Sequence, residues 1–374
     1  MSLWYTNGMA DFLQTITSSL KGALSSFEKK PDSVIGIDIG GSSIKVVQLK
    51  KEGGKIVLET YGAVSLGPYA DQESGQLPNL DVETLATAIQ DVLTEAHTTT
   101  MSTGFSIQSG ASLIFMLDLP HVKESEYAKI VPTEARKYIP VPLSEVSLDW
   151  WVVPENEYEG ETAKRSQVLV VAVRNDTLQQ YRDIVTAMPI TSKLYELEIF
   201  SIIRSSFNHE LEPIIVLDMG ARSTRIAIIE YGVVRSFQTV NRGSHQISKT
   251  LATSLNISFD KAEALKKKSG IHESEEYPEA QKVINSSLRY IFSEVNSVLL
   301  DYEKEYHKTI GAMYLSGGGV NMPGFTDELR KEFKFPVSIV DPFAKTVYPD
   351  FLKNILTESG PDFAVAAGVA LKQL

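Results

Sequence analysis

Val34-Ile-Gly-Ile-Asp-Ile-Gly-Gly-Ser-Ser-Ile-Lys-Val-Val47 and Ile214-Ile-Val-Leu-Asp-Met-Gly-Ala-Arg-Ser-Thr-Arg-Ile-Ala227 share one pattern. At a constant offset Asp38 meets Asp218, Gly40 meets Gly220, Ser43 meets Ser223, and Lys45 meets Arg225. Each stretch reads as an apolar strand, a tight glycine-containing turn and a second apolar strand. A match that includes an acid, a glycine, a hydroxyl and a base points to an internal duplication.

The elements after each hairpin are also alike. Behind the first come a strand over Lys55 to Leu66, a helix over Asp81 to Ala96 and a strand over Gly104 to Ile107. A helix over Asp176 to Ala187, a strand near Leu194 and a helix over Ile199 to Phe207 complete that half. Behind the second come a strand over Val233 to Val240 and a helix over His245 to Leu255. A strand over Met313 to Leu315, a helix over Phe325 to Phe333, a strand over Val337 to Val340 and a helix over Phe363 to Leu371 close the other half. Three strands and then alternating helices and strands is the order of a ribonuclease-H-like core, an α/β fold with a mixed sheet. The expected plan has a first lobe over 33–110 and 174–210 and a second over 211–255 and 309–374. An α+β subdomain over 111–173 interrupts the first, and a helical insertion over 256–308 interrupts the second. In that insertion Val283, Ile284, Leu288, Ile291, Val295 and Val298 form a stripe on one helix face, which is a packing face.

A chain of 374 residues exceeds what one compact core covers, in keeping with two lobes. The composition, 43% hydrophobic and 22% charged, is that of an ordinary globular protein. A net charge of −11 argues against nucleic acid as a partner, because phosphate contacts need clustered Lys and Arg. With no cysteine, disulfides, thiolate zinc sites and thiol catalysis are excluded. No apolar run approaches the ~20 residues that cross a bilayer, and the first residues lack the continuous apolar core of a secretory signal. A cytoplasmic protein is expected.

The hairpins suit a nucleotide. Asp38 and Asp218 stand at the ends of buried strands, facing the gap between halves, and suit a hydrated Mg2+ that keeps several waters. Gly40, Gly41 and Gly220 let backbone N–H groups face phosphate oxygens. Ser42 and Ser43 can donate to the same oxygens, and Lys45 can neutralise them. Gly317, Gly318 and Gly319, between a strand and a helix, allow close backbone approach to a base or α-phosphate. Glu263 and Lys266, three apart on a helix, could reach a ribose and an adenine edge. Their spacing fits a solvated ion pair equally well.

Together with the closing Ala364-Val-Ala-Ala-Gly-Val-Ala-Leu371, these features resemble the actin, Hsp70 and sugar-kinase superfamily. Three stretches of the first insertion narrow the resemblance: Leu117-Asp-Leu-Pro120, Glu134-Ala-Arg-Lys-Tyr-Ile-Pro-Val-Pro142 and Leu148-Asp-Trp-Trp-Val-Val-Pro154. They are similar to the inserted subdomain of the PilM-like proteins of type IV pilus assembly. The resemblance implies an actin-like ATPase fold that holds ATP or ADP with Mg2+ in the interlobe cleft. It also implies a cytoplasmic scaffold, recruited to the inner face of the membrane, that docks the N-terminal tail of a PilN-type protein beside the inserted subdomain. Carried over, Asp38 and Asp218 lie near the cation, while Gly41, Ser42, Ser43 and Lys45 hold the phosphates with Gly220 and Ala221 opposite. Glu263, Lys266 and Gly317 to Gly319 contact the nucleoside. Where relatives carry an Asp near the interlobe helix, Tyr195-Glu-Leu-Glu-Ile-Phe200 places Glu196, expected to position an attacking water; ATP turnover is expected to be slow at most.

Two rival readings share the hairpins. An FtsA-like filament-forming division protein generally adds an amphipathic helix after its second lobe, whereas Leu371-Lys-Gln-Leu374 here still belongs to the closing helix. A small-molecule kinase needs a substrate site for which no motif is visible. Self-association stays open in either case. Ahead of the first hairpin, residues 11–27 carry Phe12, Leu13, Ile16, Leu20, Leu24 and Phe27 at helical spacing. That pattern reads as an interfacial or partner-docking helix, or one packed on its own lobe, with few lysines for membrane attraction.

Overall fold

A computed structural model describes residues 31–153, 165–208 and 212–374. The candidate helix over 11–27 lies outside the described residues, as do residues 154–164 of the first insertion.

Three antiparallel strands open the first half: β1 (Ser33–Ile39), β2 (Ser43–Glu52) and β3 (Lys55–Ser65). Helix α1 (Val82–Glu95) comes next, started by Asp81, whose carboxylate accepts from the Thr84 N–H at 2.8 Å. Then comes β4 (Ser102–Ile107). The chain next builds a three-stranded sheet from β5 (Ser112–Pro120), β6 (Val146–Val152) and β7 (Arg165–Arg174), in the order β5-β7-β6, with α2 (Glu124–Ala135) beside it. It returns through α3 (Asn175–Thr186), β8 (Thr191–Leu197) and α4 (Glu198–Ser206).

The second half repeats the plan with β9 (Ile214–Met219), β10 (Thr224–Glu230), β11 (Val233–Val240) and α5 (Ser244–Leu255). Two further helices, α6 (Phe259–Ser269) and the long α7 (Ala280–Tyr306), form the insertion. The half closes with β12 (Ala312–Ser316), α8 (Phe325–Glu332), β13 (Val337–Ile339), α9 (Lys353–Ser359) and α10 (Ala364–Gln373). The two five-stranded sheets have matching orders, β3-β2-β1-β4-β8 and β11-β10-β9-β12-β13. Both place the first strand of the half at the centre, with parallel neighbours on one side and the hairpin on the other. The fold is actin-like, with two ribonuclease-H-like lobes and an insertion in each.

The stripe on α7 packs as its spacing requires: Ile284, Leu288, Ile291, Val295 and Val298 are buried among Ile215, Leu217 and Leu251 of the second lobe, with Val283 half-buried. A second apolar cluster runs from the first sheet through α4 to the opposite face of β9 to β11, where Phe207 meets Tyr314 with ring centroids 4.8 Å apart. Among the described residues no helix is long and apolar enough to cross a membrane.

One element lies elsewhere than its place in the chain suggests. Helix α10, expected to close the second half, packs on β1, β2 and β4 of the first sheet and on α4. Its residues Ala364 to Ala370 are all buried, so it needs protein on every side. Small residues allow that approach. A Cβ built on Gly36 of β1 would lie 1.9 Å from the Ala366 carbonyl oxygen, and one on Gly368 would lie 2.0 Å from that of Ser201. The chain therefore crosses between lobes twice, at α4 and just before α10.

Candidate functional site

The repeated hairpins turn identically. The Gly40 N–H donates to the Ser43 carbonyl at 2.9 Å, and the Gly220 N–H to that of Ser223 at 3.0 Å. Registers match as well, with Asp38 opposite Lys45 and Asp218 opposite Arg225. The tips face each other across the lobes: a Cβ on Gly41 would come within 3.0 Å of the Arg222 Cβ. Behind the second tip the Gly220 and Ala221 carbonyls accept from Ser244 and His245 at 2.9 and 3.1 Å, which ties the turn to the start of α5.

The carboxylates are held from several elements. Ser106 on β4 donates to Asp38 Oδ1 at 2.6 Å. Arg225 Nε donates to Asp218 Oδ2 at 2.6 Å, and Arg225 Nη1 to Glu198 Oε1 at 2.6 Å. The other Glu198 oxygen accepts from the backbone N–H and the hydroxyl of Ser109 at 2.9 and 2.8 Å. Burial pushes the Glu198 carboxyl above its ordinary range, against the pull of Arg225 and with Asp38 and Asp218 adding to the rise. Burial pulls the Arg225 guanidinium down, but Asp218 and Glu198 more than offset this and its pKa is raised.

Glu196 does not stand in the cleft. It is fully buried in an ion pair with Arg204, Nη1 to Oε2 and Nη2 to Oε1 at 2.5 Å each, and accepts from Ser201 at 2.7 Å. The acid linked to Asp218, through Arg225, is Glu198, two further along. β8 ends at Leu197, so Glu198 opens α4 where the strand has run out towards the gap, whereas Glu196 points from inside β8 at α4. Both acids were visible in the sequence; which one lay past the strand end was not.

Asp362 is a further acid that sequence reasoning passed over. It lies just before α10, where its Oδ1 is buried with no hydrogen-bond partner among the described residues. Burial raises its pKa; Lys45 opposes the rise, while Asp218 and Asp38 add to it, so all four groups share one field. The only hint in the sequence was an acid directly ahead of an apolar run.

The three glycines after β12 are filled against by protein atoms. A Cβ on Gly317 would lie 2.6 Å from Asp218 Oδ1, one on Gly318 2.5 Å from Asp362 Oδ1, and one on Gly319 2.5 Å from Met219 Cγ. Gly317 also has φ of +82°, which a side chain would strain. The run of small residues thus lets the loop sit directly on two of the cleft acids.

Glu263 and Lys266 are neither solvated nor independent. Lys266 Nζ donates to Glu263 at 2.7 Å and to the Ser244 carbonyl at 3.1 Å, and Ser248 donates to Glu263 at 2.5 Å. Both side chains are largely buried. Burial lowers the Lys266 pKa; burial would raise that of Glu263, but Lys266, Ser248 and Lys267 together offset it and the value falls. A loop of the first lobe arrives beside this pair: the Gly75 carbonyl lies 3.1 Å from His245 Nδ1, and a Cβ on Gly75 would meet the Glu263 carboxyl at 3.5 Å.

A divalent cation fits this donor set. Asp38 and Asp218 offer hard oxygen ligands from corresponding strands of the two lobes, and the orphaned Asp362 oxygen sits in the field of both. Among the described residues no group of three or more acids and histidines is spaced to hold a metal directly.

A family model, "Type IV pilus assembly protein PilM", matches residues 36–374. The structure superposes on that of a PilM–PilN type IV pilus biogenesis complex with a TM-score of 0.78 at 22% identity, covering 92% of this chain and 99% of the other. MreB 5 of Spiroplasma citri, solved bound to AMPPNP, aligns with a TM-score of 0.50 at 11% identity over 92% and 96% of the two chains. The ethanolamine utilization protein EutJ of Escherichia coli (strain K12) is 29% identical over 118 residues, 32% of this chain and only 38% of that relative.

Proposed function

The chain belongs to the family of the type IV pilus assembly protein PilM, and we propose that it holds ATP with Mg2+ between its lobes and docks a PilN-type membrane protein. One observation carries the nucleotide half of this reading. The two duplicated turns close on each other, with Asp38, Asp218, Glu198 and Asp362 around the gap and Lys45 and Arg225 among them.

Each group has a role in this reading. Asp38 and Asp218 would hold Mg2+ through water. Gly40, Gly41, Ser42, Ser43 and Lys45 would face the phosphates from one lobe, with Gly220 and Ala221 opposite. Glu263, Lys266 and Gly317 to Gly319 would line the nucleoside end. Bound ATP would supply the phosphoryl group, made electrophilic by its cation. Glu198, with its pKa pushed up by burial, is the acid suited to order a water and accept its proton. Arg225 and Ser109 fix its carboxylate from two sides, as tight positioning demands. Slow turnover fits a scaffold whose work is binding.

The partner half is supported by family membership and by the likeness, over nearly the whole of that chain, to a PilM solved with PilN. In this reading the chain meets the membrane through its partner's cytoplasmic tail, beside the inserted subdomain of β5 to β7. The test is a titration with the N-terminal peptide of the PilN-type protein encoded with it, with and without Mg-ATP. Saturable binding supports the scaffold, and a shift between the two curves shows that nucleotide controls docking. A flat response in both conditions overturns the partner assignment.

A further inference from the structure

The outer margin of the first sheet holds a groove of about 440 Å3 on the strand that flanks the first hairpin, where Ala63 and Val64 pair with Lys45 and Ile44. β3 is the last strand of that sheet. Its first half is already extended by another part of the chain: the Leu58 N–H donates to the Val347 carbonyl at 3.0 Å, and the Val347 N–H to that of Ile56 at 2.7 Å. Val347 thus runs parallel to β3 as a one-residue added strand.

Beyond Val347 no other described residue pairs with this margin along the groove. The Leu66 N–H turns inward to the Ser42 carbonyl at 2.9 Å. By alternation the backbone groups of Tyr61 and Ala63 face outward, a break in register opposite Gln48 and Leu49 having reset the phase. A strand margin of this kind recruits extended peptide by main-chain hydrogen bonds.

The groove walls say which peptide. Gly62 faces α1, where a Cβ would meet Ala96 Cβ at 3.0 Å, so helix and strand lie close and the groove stays shallow at that point. On the α1 side stand the exposed Asp91 and Glu95, with no Lys, Arg or His among the lining residues. Asp91 is held upright by the Tyr69 hydroxyl at 2.7 Å. The last turn of α1 carries no basic residue, so the negative end of its dipole adds to the two carboxylates. On the other face of β3 the Tyr61 ring packs on Phe363 and Phe343, with centroids 5.3 and 6.3 Å apart.

We propose that this margin docks an extended segment of a partner protein in which basic side chains alternate with apolar ones. Its main chain pairs with Tyr61 and Ala63 in the direction set by Val347. Alternate basic side chains reach Asp91 and Glu95, and the apolar ones turn towards the face on which Tyr61 lies. Acidic side chains on such a segment would be repelled, so selection is by sign as well as by strand formation.

The probe is a fluorescent hexapeptide alternating Val and Lys, with a Val and Glu alternate as control, monitored by anisotropy on the full chain. The expected result is saturable binding of the basic peptide only, with hydrogen-exchange protection appearing at residues 61–65. Glu95→Lys, a surface change, should weaken it at least ten-fold, and Ala63→Pro, which removes an outward N–H, should do the same. Melting temperature and far-ultraviolet circular dichroism report whether either variant has lost its fold; if Ala63→Pro has, Glu95→Lys decides alone. Equal affinity for both peptides, no saturation, or undiminished binding to Glu95→Lys would each overturn the proposal.

Discussion

Arg225 joins the two lobes through a single guanidinium: Nε lies 2.6 Å from Asp218 of the second lobe and Nη1 2.6 Å from Glu198 at the head of α4. Lys45 is its counterpart in the first hairpin, so the duplication has been put to two different uses. All three side chains of this bridge are buried. Removing the cation would leave two buried acids uncompensated. Arg225→Ala should cost about 3–5 kcal/mol of stability, read from urea unfolding. Adding Glu198→Gln to it should return part of that loss, and a cycle showing strict additivity would mean the two residues are uncoupled.

The two candidate acids of α4 and its preceding strand separate cleanly. Glu196→Gln breaks a buried pair with Arg204 and should lower the melting temperature while leaving nucleotide affinity nearly intact. Glu198→Gln should retain ATP binding and abolish what slow hydrolysis the protein has. Phosphate release assayed beside a thermal melt distinguishes them, and the reverse pattern would return the water-positioning role to Glu196.

Asp362 makes stability depend on pH. Its folded pKa is raised, chiefly by burial, so the folded state binds the proton more tightly than the unfolded chain, whose value is about 3.9. The contribution is fully present below that value and is lost as pH rises through the folded pKa. Asp362→Asn should therefore stabilise the nucleotide-free protein at neutral pH, with a gain that shrinks to nothing on acidification. Denaturant midpoints taken across that range check the sign.

Gly368→Ala sets two effects against each other. A glycine-to-alanine change inside a helix is worth about 1 kcal/mol in favour of folding. Here the added Cβ would fall 2.0 Å from the Ser201 backbone, and overpacking of that kind costs about 1–3 kcal/mol. Net destabilisation is expected, since backbone cannot swing aside as a side chain can. Chemical denaturation of the single variant measures it.

Nucleotide should be visible as stability. Mg-ATP at 100 times its dissociation constant adds about 2.7 kcal/mol. Asp38→Ala or Asp218→Ala should remove the magnesium-dependent part of that gain. A thermal-shift series with EDTA separates it, and equal shifts with and without the metal would exclude Asp38 and Asp218 as its holders.

Much of the architecture was legible because the chain states it twice. The offset between Asp38 and Asp218, and the apolar period along each strand, marked the two halves and the succession of strands and helices in each, while the strand order within each sheet came from the structure. The stripe from Ile284 to Val298 likewise announced a packed helix. The candidate site was legible as far as it rides on the hairpins. Glu263 and Lys266 were readable as a pair, but their burial under Ser244 and Ser248 was not, since spacing on a helix says nothing about what covers it.

The sequence by itself determined most of the strands and helices, though not the helix Lys353–Ser359, that the halves correspond, and which residue types stand at each turn. Those properties come from local periodicity and turn chemistry. Only the tertiary structure decided that α10 belongs against the first sheet, that Glu198 rather than Glu196 is joined to Asp218 through Arg225, and that Asp362 joins the acids. Each of these depends on contacts between residues far apart in the chain. Whether an acid faces a cleft or a salt bridge is fixed by where its strand ends and what packs on it.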